Sequence, residues 1–158
     1  MECTKSPAGL SDRLMKAPIL LVQTDTTVGF LSQDAVRLSK IKKRSSEKPF
    51  LKSYADLRTF KRFSRIPKHF KRQVRRSNAT TYVVKSEAFR IVNNSLHQNI
   101  IAPYGWFYST SANLSGQKFQ RAFALKHVDI IVEDHRGLYE TASSAIIKLG
   151  ANRKKCLR

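Results

Sequence analysis

Short apolar runs of strand length recur along the chain, and stretches with helical spacing separate them. "APILLV", "TTYVV", "AFRIV", "WFYS", "DIIVED" and "SAIIKL" are the strand-like runs. "SQDAVRLSKIKKR", "NNSLHQNIIAPYG" and "KFQRAFALKHV" lie between them and read as helices. Strands that alternate with helices, with no internal repeat, must bury two-sided apolar strands under amphipathic helices. That constraint points to an α/β fold, most economically a single mixed sheet flanked by helices. At 158 residues the chain is the size of one domain, taken here as 1–158.

In detail, "APILLVQTDTTVGF" predicts a buried strand at 18–24 and an outgoing turn near Gly29. Ser32 is the candidate N-cap of the next helix, and Pro49 ends the basic stretch that follows it. Leu57, Phe60, Phe63, Ile66, Phe70 and Val74 recur every three or four residues, which predicts two amphipathic helices broken at Pro67. Asn94 caps a further helix that Pro103 and Gly105 close, and "STSANLSG" follows the strand "WFYS" as a loop.

Charge narrows the partners. Thirty Lys plus Arg against eleven Asp plus Glu give a net +19 and a pI near 10.5. Such an excess attracts polyanions: nucleic acid, nucleotides or anionic membrane. The longest apolar run is far shorter than the roughly 20 residues that span a bilayer, so no transmembrane segment and no membrane partner are expected. "MECTKSPAGLSDRLMK" lacks the apolar core of a signal peptide, which leads to the expectation of a cytoplasmic protein. Cys3 and Cys156 form no CxxC pair, so neither zinc nor a disulfide framework is indicated. His127, Asp129, Glu133, Asp134 and His135 are split between the faces of a strand, so no metal site is assigned. No P-loop, GxGxxG, GxSxG or HExxH pattern occurs, and nothing signals covalent catalysis.

Two basic clusters and one uncharged stretch stand out. Nine Lys or Arg lie between Arg58 and Arg76 with no acid among them. A solvated helix face is the usual meaning of such a run, but like charges on neighbouring turns repel and need a compensating benefit. In "KIKKRSSEKP", Lys42, Arg44 and Lys48 precede Pro49, a spacing that suits a triphosphate or pyrophosphate if the cations converge. "STSANLSG" is either an ordinary turn or a place where small residues let backbone approach an anionic ligand.

Together, "QTDTTVGF", "KIKKRSSEKP", "ATTYVV", "EAFRIV", "STSANLSG" and "SSAII" stand in the order of the motifs of the YrdC/YciO family, which includes the threonylcarbamoyl-AMP synthases. They resemble that family's PTETVYG, KxRxxxKP, GPxT, AVR, STSANxSG and S-T-I segments in turn. The resemblance implies a twisted mixed sheet around a basic concave cleft. It also implies a reaction, in which threonine, bicarbonate and ATP give threonylcarbamoyl-adenylate and pyrophosphate for modification of tRNA. By matched position, Lys42 and Arg44 would be catalytic. Lys42, Arg44, Lys48, Thr81, Ser111, Asn113 and Ser144 would bind the nucleotide, with Mg2+ entering on ATP, and Thr26, Arg90 and Ser109 would bind threonine. Downstream threonylcarbamoyl-transfer proteins are implied as partners.

The chain departs from the pattern at Gln23, Val28, Leu31 and Lys148. The other function that the family and the charge suggest is a non-catalytic module for tRNA or double-stranded RNA, using Arg62, Arg65, Lys71 and Arg75.

Overall fold

The computed structural model describes residues 17–45 and 47–158. The N-terminal stretch with Cys3, on which the cytoplasmic expectation rests, lies outside the described residues, as does Ser46. The strands are β1 (Leu20–Gln23), β2 (Val28–Ser32), β3 (Leu51–Tyr54), β4 (Thr80–Val84), β5 (Glu87–Ile91), β6 (Trp106–Ser111), β7 (Ile130–Val132), β8 (Ala145–Leu149) and β9 (Lys154–Cys156). The helices are α1 (Ala35–Lys42), α2 (Leu57–Phe60), α3 (Lys71–Arg76), α4 (Ser95–Ile101) and α5 (Arg121–Lys126).

All the described strands join one sheet in the order β7-β1-β2-β6-β3-β5-β4-β8-β9. β1 with β7, β3 with β5 and β4 with β8 are parallel, and the other neighbours are antiparallel, so the sheet is mixed.

Register divides the residues between two faces, because side chains alternate along a strand while cross-strand partners share a side. Leu31 pairs with Leu20 and Ser109, Ser53 with Phe107 and Arg90, and Thr81 with Ile146. These residues occupy the first face. Phe30, Tyr54, Tyr82, Phe89, Trp106 and Tyr108 fall on the second. On the first face α4 supplies Ile101, which packs with Leu20, Val22, Leu31, Val92 and Phe107. On the second, α1 and α5 cover Leu21, Val28 and Phe30, while α2 and α3 cover Tyr54, Tyr82 and Phe89. Phe60 stacks on Phe89 with ring centroids 4.1 Å apart. Each such buried apolar side chain contributes about 1.5–3 kcal/mol.

The structure departs from the sequence expectations at four places. "VGFLS" is a strand, not the end of a turn: all five residues are buried, because both faces are covered and no alternation shows. Asp34, not Ser32, caps α1; its carboxylate accepts from Arg37 N at 2.9 Å, and Ser32 Oγ accepts from Asp34 N at 3.0 Å. The paired basic helices shrink to one turn of α2, a 3-10 turn at Lys68–Phe70 and the six residues of α3, which fits mutual repulsion of their cations and the break at Pro67. Finally, β6 continues through Ser109, Thr110 and Ser111, so the first part of "STSANLSG" is strand. Among the described residues no helix is long and apolar enough to cross a membrane.

Candidate functional site

Sheet register brings the motifs together. Gly29 pairs with Ser111, Leu51 with Ser109, and Arg90 with Ser53, all on the first face beyond the α4 core. There they line a cavity of about 600 Å³ with Thr26, Arg44, Lys48, Thr81, Ser109, Ser111 and Ser144. Eight of the ten substrate-site residues expected from sequence thus share one cavity; Lys42 and Asn113 are the two that do not line it. Among the described residues its lining includes the cations Arg44, Lys48, Arg90 and Arg158 and no Asp or Glu. Gly29 is required here: a Cβ would sit 3.0 Å from Thr110 O and 3.1 Å from Thr24 Cγ2.

Arg90 organises one end. Its side chain is 4% exposed, and its guanidinium donates to Asp25 Oδ1 at 2.7 Å, Thr26 Oγ1 at 3.0 Å and Thr81 Oγ1 at 3.1 Å. Thr81 Oγ1 lies 2.9 Å from Ser144 Oγ, which ties β4 to the start of β8. Buried His97 sits beneath Asp25, with Nδ1 accepting from Asp25 N at 3.4 Å. Burial alone would raise the Asp25 carboxyl, but its contacts with His97 and the Arg90 guanidinium outweigh it and hold the group below its usual range. A planar fork fixed on three oxygens at the cavity wall is pre-organised for an anion at its edge.

At the other end Lys42 is 3% exposed, at the C-terminus of α1. Its Nζ donates to Ser111 O and Asn113 Oδ1, each at 2.8 Å, and to Asn113 O, so the ammonium pins the "SAN" backbone from behind. Burial, then the charge of Arg44, pull its pKa down to about 8. Asn113 is held in turn: Oδ1 accepts from Ser111 Oγ at 2.5 Å, and Nδ2 donates to Gln117 O. Arg44 donates to Lys48 O at 2.6 Å and Pro49 O at 2.7 Å and lies over the Phe50 ring at 4.5 Å, leaving its Nε unpartnered. Lys48 is exposed at the rim.

Sequence reasoning missed Asp25, His97 and Arg158. Asp25 lay inside a quoted motif without a role, while His97 looked like any helix residue. Nothing marked Arg158, whose Nε donates to Ser144 O at 3.2 Å. Arg62, Arg65, Lys71 and Arg75 do not join the cavity; Arg62 and Arg65 are exposed in the segment after α2, and Lys71 and Arg75 are exposed on α3. Two of the departures are structural: Val28 and Leu31 are buried in opposite cores and do not line the cavity. Gln23 accepts from Tyr139 N at 3.0 Å, and Lys148 is exposed.

The chain is 27% identical over 117 residues to an uncharacterized protein of Mycoplasma pneumoniae, covering 73% of this chain but only 24% of that one, about a quarter of its length. Sua5 of P. abyssi, solved with L-threonine, superposes with a TM-score of 0.73 at 16% identity over 89% of this chain and 50% of its own. YciO of E. coli superposes at 0.72 and 17% identity, over 90% of this chain and 82% of its own. These structural likenesses show the fold. The sequence profile of the Sua5/yciO/yrdC family, described as "Telomere recombination", matches residues 12–158. With that match spanning nearly the whole chain, and the motif residues gathered on one face of the shared sheet, the protein belongs to the Sua5/YciO/YrdC family.

Proposed function

We propose that the protein is a threonylcarbamoyl-AMP synthase. The observation that carries this is the convergence of Thr26, Arg44, Lys48, Thr81, Arg90, Ser109, Ser111 and Ser144 on one cavity with cations at both ends and no Asp or Glu among its described lining residues. The threonine amine adds to bicarbonate with loss of water to give a carbamate. A carbamate oxygen then attacks the α-phosphorus of ATP, the bond to the β-phosphate oxygen breaks, and pyrophosphate leaves. No step needs a nucleophilic side chain; positioning and charge neutralisation suffice.

Arg44 and Lys48 would neutralise the departing pyrophosphate, with Mg2+ carried in by ATP. Arg90, Thr26 and Ser109 would take the threonine carboxylate and hydroxyl. Thr81, Ser111 and Ser144 would line the nucleotide side, with Lys42 holding Ser111 and Asn113 in place. The presence of L-threonine in the Sua5 structure supports the amino-acid half of this assignment. The adenylate would pass to threonylcarbamoyl-transfer proteins acting on tRNA.

The test is threonine-dependent release of pyrophosphate from ATP in bicarbonate buffer. Release is expected, and Arg44→Ala should lower its rate by at least about 100-fold, the scale of losing one transition-state charge contact. No release from folded protein that binds ATP would overturn the synthase assignment.

A second function has its own support: Arg62, Arg65, Lys71 and Arg75 are exposed and, among the described residues, in no ion pair. Such cations would hold RNA phosphates with steep salt dependence.

A further inference from the structure

On the second face of the sheet, half-buried aromatic rings line the seam between the core under α1 and the core under α2. Trp106 and Tyr108 project there from alternate positions of β6, with ring centroids 5.1 Å apart and edge to face. Tyr108 lies 6.4 Å from Phe50, and Trp106 lies 6.3 Å from Phe63. Phe63 is 56% exposed, and neither Trp106 nor Tyr108 is buried. The Lys52 ammonium stands over both strand rings, 5.4 Å from Trp106 and 5.7 Å from Tyr108.

An apolar row of this kind is costly to leave in water. Its neighbours give it a purpose. Lys61, Arg62 and Arg65 flank Phe63 in sequence and are exposed, and no acid occurs between Leu57 and Arg76. Around the row the exposed cations Lys61, Arg62 and Arg65, with Lys52 over the rings, outnumber the exposed acids Asp56 and Glu87, and this excess suits a polyanion better than a protein surface of balanced charge. Rings that accept a base on their faces, beside cations that track a phosphate backbone, suit an unpaired polynucleotide. A duplex hides its bases from such rings, and cations alone would serve it equally well.

We propose that this face binds single-stranded RNA, with bases stacked on Phe63, Trp106 and Tyr108 and phosphates held by Lys52, Lys61, Arg62 and Arg65. The surface lies on the side of the sheet away from the cavity and does not depend on adenylate formation there.

Trp106 is the single tryptophan of the chain, so its emission reports directly on the platform. The experiment titrates the full-length protein with a seven-nucleotide single-stranded RNA and with a hairpin duplex of equal phosphate number, at one fixed salt concentration. Saturable quenching by the single strand is expected, with affinity at least tenfold above that for the hairpin. Phe63→Ala, at an exposed position, should weaken the single strand by about tenfold, within the range seen for loss of one stacked base, and leave ATP binding unchanged. Trp106→Phe should retain affinity, read by anisotropy of a labelled strand. Equal affinity for the hairpin, an unchanged Phe63→Ala variant, or absence of quenching would each overturn the proposal. So would quenching that rises with protein concentration alone, since the occupant would then be a second copy of the chain.

Discussion

Lys42 is a cation placed where its charge is costly. It is nearly buried, the charged Arg44 is close by, and its pKa falls to about 8 from an ordinary 10.5. Protonated, it has three donors, enough for Ser111 O, Asn113 O and Asn113 Oδ1; neutral, it has two. We therefore expect ATP affinity, followed by calorimetry, to fall as pH rises through about 8, and Lys42→Arg, charged throughout, to flatten that fall. Stability should move the other way. The unfolded chain keeps this proton to about 10.5 while the folded one releases it near 8, so between those values the group adds stability as pH rises. Weaker binding without a drop in melting temperature would mark lost phosphate attraction; a simultaneous drop would mean that the loop itself unfolds.

At the scale of elements, α1 delivers the cationic signature to the cavity. Asp34 caps its first turn, and Lys43 ends it in the left-handed region at φ 47, from which Arg44 turns toward Pro49. Asp34→Ala should cost about 1 kcal/mol in denaturant unfolding, the usual worth of an N-cap, and should weaken ATP binding because the turn carrying Arg44 loosens with its helix. Unchanged ATP affinity in a destabilised variant would show that Pro49 and Phe50 hold Arg44 without the helix. Elements like α1 were legible because their apolar spacing is local, although the cap of α1 fell on Asp34 and not on Ser32. β2 was not: a strand buried on both faces has no period of two, and "VGFLS" follows a threonine-rich turn. β9 escaped for the opposite reason, being three exposed residues that exist through pairing with β8. Ser109 and Ser111 looked like loop, and the strands β2 and β3 on either side hold them extended against their own preference. The candidate site was legible as motifs, but its linchpin was not. Asp25 and His97 are 72 residues apart, and only the fold shows that they hold Arg90.

Across the whole molecule, two groups of cations lie on opposite sides of the sheet. Arg44, Lys48, Arg90 and Arg158 face the cavity on one side of the sheet, while the unpaired cations from Arg58 to Arg76 lie over the other. Exposed charges separated by more than about 8 Å are largely screened at physiological salt, so the two sets should act independently. Changing Arg62, Arg65, Lys71 and Arg75 together to Glu should reduce RNA affinity and flatten its salt dependence by about 0.7–0.9 log units per log unit of salt for each lost phosphate contact. ATP affinity of that variant should stay within about twofold of the parent at 0.15 M salt, where screening weakens coupling between opposite faces of the sheet. A variant that loses ATP as well as RNA would show that a single continuous electrostatic surface serves both ligands. An unchanged salt slope would make the basic segment a solvated face, and RNA binding would then have to be sought at the cavity.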